Sequence, residues 1–137
     1  MVVVMSSGCR AFQFKLDPTV KQGQALDRLL VEQCRLYNAA LEERRGVWRW
    51  ERRSVSRYEQ YKNLTGLAAQ EPGLLAFGVT VARGTLLRLD RAFQAFFRRV
   101  TAGETPGFPR FRSVRRFDSV EWPDVSGWRL EEGSRRL

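Results

Sequence analysis

Between Val79 and Val100, seven apolar residues recur at alternating steps of three and four. They are Val79, Ala82, Leu86, Leu89, Phe93, Phe96 and Val100. A helix turns once in about 3.6 residues, so this spacing gathers all seven into one stripe along one face. A stripe six intervals long, with Arg83, Arg88, Arg91, Arg98 and Arg99 lying off it, predicts a long helix buried on one side. Such a helix needs partners to bury it, and the chain supplies two upstream. Leu26, Leu29, Leu30, Cys34, Tyr37, Ala40 and Leu41 keep the same period, with Thr19 placed to cap their helix and Gly46 a weak point or end, unless Trp48 and Trp50 carry the helix on. Tyr58, Tyr61, Leu64 and Leu67 form the face of another helix, capped by Ser54 or Ser56 and stopped by Pro72-Gly73. Gly103 closes the third helix. Three helices in a small bundle are the expectation.

The flanks change period. In "AFQFKLDP", Phe12, Phe14 and Leu16 alternate with Gln13 and Lys15, the pattern of a half-buried strand. "RFDSVEW" and "GWRLEE", beyond Thr105, also read as strands. A lone strand is marginal, so the strand at Phe12–Leu16 is expected to pair with those after residue 105, which makes the helices an insertion into a small sheet or barrel. The opening "MVVVMSSG" is apolar for only five residues. It is too short for a secretory signal, and no later run could span a bilayer. Residues 1–10 are expected to be a disordered tail, with Met5 the alternative start.

With 137 residues and 43% apolar composition, the chain can build a core. It has no histidine, and its two cysteines, Cys9 and Cys34, form no CxxC pair. No metal site, cofactor or catalytic site is therefore expected. Cys34 falls on the apolar face as a small core residue, and two isolated thiols fit a reducing cytosol. Glu42, Glu43, Glu51 and Asp90 sit next to arginines, and the expectation for them is solvated pairing on helix surfaces. Gly78 and Gly84 lack the spacing of a phosphate-binding loop.

The charge balance is more telling. The formal net charge is +9, and 21 of the 24 basic residues are arginine. Part of that bias can follow from the codon composition of a GC-rich genome. The rest fits arginine's planar fork, which matches phosphates and guanine edges. From Arg98 to Arg116 there are six arginines and one acid, Glu104, and phenylalanines interleave with them in "TPGFPRFRSVRRFDSVEW". A second group, Arg44, Arg45, Arg49, Arg52, Arg53 and Arg57, surrounds Trp48 and Trp50. A charge run is usually just a solvated face. Aromatic rings beside it point to nucleic acid, since rings can stack on bases while guanidinium groups hold phosphates.

Four segments resemble one family. "FQFKLDPT" resembles the opening strand of the TnpB (OrfB) proteins of bacterial insertion sequences, whose first part is also described as a transposase helix-turn-helix domain. "CRLYNAAL" (residues 34–41) and "LDRAFQAFFRR" (residues 89–99) resemble the signatures of its first and third helices. "GFPRFRS" (residues 107–113) is similar to the turn that follows. The resemblance covers roughly residues 11 to 122. It implies an α+β fold, a three-helix recognition bundle (18–104) inserted into an incomplete wedge-like β-barrel (11–17 and 105–137).

The same resemblance implies the N-terminal portion of an RNA-guided DNA endonuclease related to type V CRISPR effectors. That portion binds the transposon-adjacent DNA motif and the guide RNA–target heteroduplex. Cleavage would belong to a downstream Mg²⁺-dependent RuvC-like domain and zinc ribbon, so this chain is expected to be a non-catalytic fragment: a relic, half of a split gene or a frameshifted frame. Its expected partners are DNA, guide RNA and a separately encoded nuclease half, with no membrane and no small-molecule substrate. The expected location is the cytoplasm, on the nucleoid. By location in the family, the first turns of the second and third helices meet the adjacent-motif duplex. Here they hold Arg57 and Tyr61, then Thr80 and Arg83. Arg110, Arg112, Arg115 and Arg116 complete the expected contacts. Tyr61 fits the apolar helix face equally well. Two other classes stay open, a helical protein-interaction module and a stand-alone helix-turn-helix DNA-binding protein.

Overall fold

The computed structural model describes residues 2–7, 10–129 and 131. Three helices dominate them: α1 (Val20–Glu51), α2 (Arg57–Gln70) and α3 (Val79–Thr101). Both expected caps form. The Thr19 hydroxyl accepts from the Gln22 N–H while the Gln22 side chain accepts from the Thr19 N–H. Ser56 and Glu59 make the same reciprocal box at the start of α2. Each box satisfies two backbone donors that a helix start leaves bare. Gly46 does not interrupt α1, which runs on to Glu51 and ends where Arg52 turns left-handed at φ 52°.

The predicted stripe of α3 is buried through its middle, at Ala82, Leu86, Leu89 and Phe93. Val79 and Val100, at its ends, are exposed. The middle packs on Cys34, Leu36, Tyr37, Ala40 and Leu41 of α1 and on Leu64 of α2. A polar cluster sits beside this core. Arg44 donates from Nε to Gln60 Oε1 at 2.9 Å and from both Nη atoms to Asp90 Oδ1 at 3.2 Å. Gln60 in turn donates to the Ala40 carbonyl and to Glu43. One residue from each helix thus meets at a mostly buried ion pair. Asp90 is not the solvated surface acid that its arginine-rich surroundings suggest, because its partner comes from another helix.

The expected α+β wedge-like barrel is not present among the described residues. The sheet has two strands, β1 (Val2–Ser7) and β2 (Arg10–Lys15), paired antiparallel with Met5 opposite Phe12 and Val3 opposite Phe14. The strand containing Phe12 and Phe14 therefore finds its partner in the opening apolar run, which is a strand and not a disordered tail. β-branched valines a few residues away make that pairing local, without a long loop to close. Phe12 and Phe14 are half-exposed.

The segment after Thr105 forms no strand among its described residues. Pro106, Pro109 and Pro123 cannot donate to a ladder, and only single 3₁₀ turns occur, at Val114–Arg116 and Val125–Gly127. The end of "GWRLEE" and the rest of the expected barrel, Leu130 and 132–137, lie outside the described residues.

This segment instead straps the bundle. Pro109 is buried, and Phe117 is a buried plug beside Tyr37. The Asn38 amide holds the strap at Arg112 from both sides, donating to its carbonyl and accepting from its N–H, each at 2.8 Å. Farther on, Glu121 runs directly over Gly84 of α3, where a Cβ would be driven into the Glu121 carbonyl. Gly84 is needed for that close approach. Gly84→Ala is expected to lift residues 119–128 from α3 and cost about 1–3 kcal/mol, the usual range for overpacking. Faster proteolysis within that segment and a lower unfolding midpoint would show it; an unchanged cleavage pattern would mean that the strap is not seated there.

Candidate functional site

The residues expected to touch nucleic acid fall into two places. Arg57, Tyr61, Thr80 and Arg83 lie on or near the α2–α3 contact. Tyr61 is half-buried and packs against the core; its hydroxyl donates to the Arg83 carbonyl at 3.4 Å, and burial raises its pKa. The Arg83 guanidinium rests 5.8 Å from the Tyr61 ring centroid and is exposed. Arg57 has structural partners, donating to the Tyr58 hydroxyl at 2.8 Å and lying 3.8 Å from Asp90. Thr80 is buried, because Gly127 and the strap close over the first turn of α3. Of these four, only Arg83 presents its charge to solvent without a carboxylate partner among the described residues.

Arg110, Arg112, Arg115 and Arg116 come together in the second place. With Tyr37, Ala92 and Phe111 they line a groove of about 1020 Å³ between the strap and the bundle. All four are exposed, and no ion pair among the described residues involves them. The Asn38 clamp at Arg112 fixes the backbone from which they project. Arg112 reaches over the Tyr37 ring. Cys34 lies beneath, its thiol donating to the Arg112 carbonyl. Burial pushes the Cys34 pKa up, which keeps it an unreactive thiol.

A neighbouring groove of about 780 Å³ shares Phe108 as a wall. Arg44, Arg45, Trp48 and Arg49 of α1, with Arg52 and Arg53 just past its end, line one side of it; of these, Arg44 is paired with Asp90 and Arg53 with Glu51 and Glu59. Phe93, Phe96, Phe97 and Val100 of α3 line the other, and Val55 and Phe108 are also in contact with it. Arg45 bridges the two grooves, with its guanidinium 5.9 Å from the Phe108 centroid and 5.1 Å from that of Phe111. Among the described residues, no Asp or Glu lines either groove.

The sequence signals Arg44–Arg57 with Trp48, but not that α3 contributes an apolar wall facing them. The pair Phe96-Phe97 was the available hint. Two adjacent rings cannot both point into the core of a helix, and Phe97 is exposed. Asn38 carried no signal, because its partner is 74 residues away.

Among the described residues no cluster of ligating side chains could hold a metal ion, and no helix is long and apolar enough to cross a membrane. No protein-family model matches the chain, and no curated protein or solved structure matches it either.

Proposed function

We propose that this chain is a nucleic-acid-binding module, the recognition portion of a TnpB-type RNA-guided system, engaging DNA and guide RNA. The observation that carries the reading is the pair of adjoining grooves lined by arginine and aromatic residues and, among the described residues, by no carboxylate. Arginines crowded along a groove wall repel wherever they lack a counter-charge, as Arg110, Arg112, Arg115 and Arg116 do among the described residues, and a polyanion offsets that repulsion while releasing its own counterions. The rings between them suit bases or sugars better than a purely ionic partner would. The four-motif resemblance supplies the substrates, the transposon-adjacent duplex and the guide–target heteroduplex. In this reading the module sits on the nucleoid in the cytoplasm, and DNA cleavage belongs to a nuclease domain that these residues do not supply.

Arg110, Arg112, Arg115 and Arg116 are placed to contact phosphates. Replacing all four by alanine is expected to flatten the slope of log affinity against log salt, by up to about 0.9 for each lost duplex phosphate contact. Anisotropy titrations of a labelled duplex at several salt concentrations measure this. An unchanged slope would remove the strap arginines from the interface, and absence of binding by the unaltered protein would refute the function.

A further inference from the structure

The two walls of the smaller groove are written in the same register and have opposite chemistry. On α1, Arg45, Trp48 and Arg49 stand at i, i+3 and i+4, with Arg52 following at the left-handed C-cap; on α3, Phe93, Phe96, Phe97 and Val100 stand at i, i+3, i+4 and i+7. Each set lies along one helix face. One wall is thus a row of cations with an indole among them, and the wall opposite is a row of rings.

We propose that this groove binds single-stranded nucleic acid, phosphates along α1 and unpaired bases on Phe97 and Trp48. The inference rests on the nucleic-acid reading above and narrows it to one strand form. Three features favour it. Arg45 and Arg49 are four residues apart, about 6 Å of rise along α1, and Arg52 continues the row at its C-cap, so they form a track rather than a point. Phe97 and Trp48 are 56% and 52% exposed even with Phe93 stacked on Phe97 and Arg52 over Trp48, so ring surface is left for a base. A duplex hides its base faces in its own stack and offers only edges and backbone, whereas a single strand offers both phosphates and ring faces together. The rings are also held in place: Phe96 packs against Phe97 at 5.3 Å and against Phe108 at 5.2 Å between centroids, and Arg52 lies over Trp48 at 5.8 Å. Stacking surfaces fixed before binding lose little freedom when a base arrives.

The test uses the full chain with a labelled oligothymidylate and a duplex of equal length at one fixed ionic strength. Trp48→Ala and Phe97→Ala are each expected to weaken binding of the single strand by about tenfold or more and to change duplex affinity less than about twofold. Trp48→Tyr keeps a stacking face and should retain most of the affinity, which separates stacking from packing. Circular dichroism confirms that each variant is folded. Equal losses on both nucleic acids, or no loss on either, would overturn the single-strand assignment while leaving the proposed function standing. No binding of either nucleic acid by the unaltered protein would overturn both. Displacement of the strand by polyglutamate or by phosphatidylserine vesicles, abolished by Phe97→Ala, would assign the groove to an acidic protein or a lipid surface instead.

Discussion

Replacing Phe93 by alanine is expected to lower the unfolding free energy by about 3–5 kcal/mol, the range for truncating a buried phenylalanine. Its place in the core and two neighbours, Arg44 and Phe108, limit how far the site can collapse around the loss. Phe93 belongs to the main core. Its face carries the Arg44 guanidinium at 5.0 Å, and its ring meets that of Phe108, on the strap, edge-on at 5.6 Å. Removing the ring therefore opens a cavity, uncovers one side of a buried cation and frees the strap near the shared wall of the two grooves. Domains of this size are commonly stable by only about 5–15 kcal/mol, so the variant should show a much lower urea midpoint. Phe97→Ala, one turn along at an exposed ring, should lower the unfolding free energy by less than about 1 kcal/mol. A Phe93→Ala midpoint equal to that of the unaltered protein would mean that the α3 stripe is not packed at its centre.

The contrast between Phe93 and Phe97 shows how far the sequence could be read. Helical period does not separate them, since residues four apart lie on the same side of a helix; Phe93 is enclosed by Arg44 and Phe108, and Phe97 is exposed. The caps were legible because Thr19 and Ser56 act within three residues of themselves. Where the partner is remote, local pattern is silent. Thr80 reads as an open first-turn residue, and only the fold brings Gly127 over it. Arg57 reads as unpaired until α3 places Asp90 near it.

The barrel expectation failed for a related reason. Alternation at Phe12–Leu16 signals a strand without naming its partner, and the valines at 2–4 were nearer than anything after residue 105. The prolines at 106, 109 and 123 marked the strap as a poor ladder former. Its real anchors, Phe117 and the Arg112 backbone, depend on Tyr37 and Asn38 of a distant helix. For the candidate site, the arginines were legible in both groups. The absence of acids from the groove walls was not, because Glu42, Glu43 and Glu51 are interspersed with those arginines in sequence, and only the fold turns Glu43 to Gln60 and Asn63 and leaves Glu51 beside Arg53 at the groove's edge.

Asp90→Ala is the second substitution with a large expected effect, again about 3–5 kcal/mol, the range for breaking a buried pair by removing one partner. Only 8% of the Arg44 side chain and 15% of the Asp90 side chain are exposed. Without the carboxylate, Arg44 keeps Gln60 and the Phe93 face but has no counter-charge among the described residues, and Arg57 loses its only one. The Gln94 amide, which donates to Asp90 Oδ2 at 2.9 Å, is released as well. Much of the cost thus comes from the cation left behind, not from the bond that was lost. The double variant Arg44→Met/Asp90→Leu tests this directly, because filling the site with apolar groups of similar size removes both the attraction and the stranded charge. It is expected to recover most of the stability lost in the single variant, as measured by urea unfolding at neutral pH. A double variant no more stable than Asp90→Ala would show that the three-helix junction depends on the hydrogen bonds Arg44 makes to Gln60. A single variant within about 0.5 kcal/mol of the unaltered protein would show instead that water screens the pair, and that the junction between α1, α2 and α3 is held by the apolar core alone.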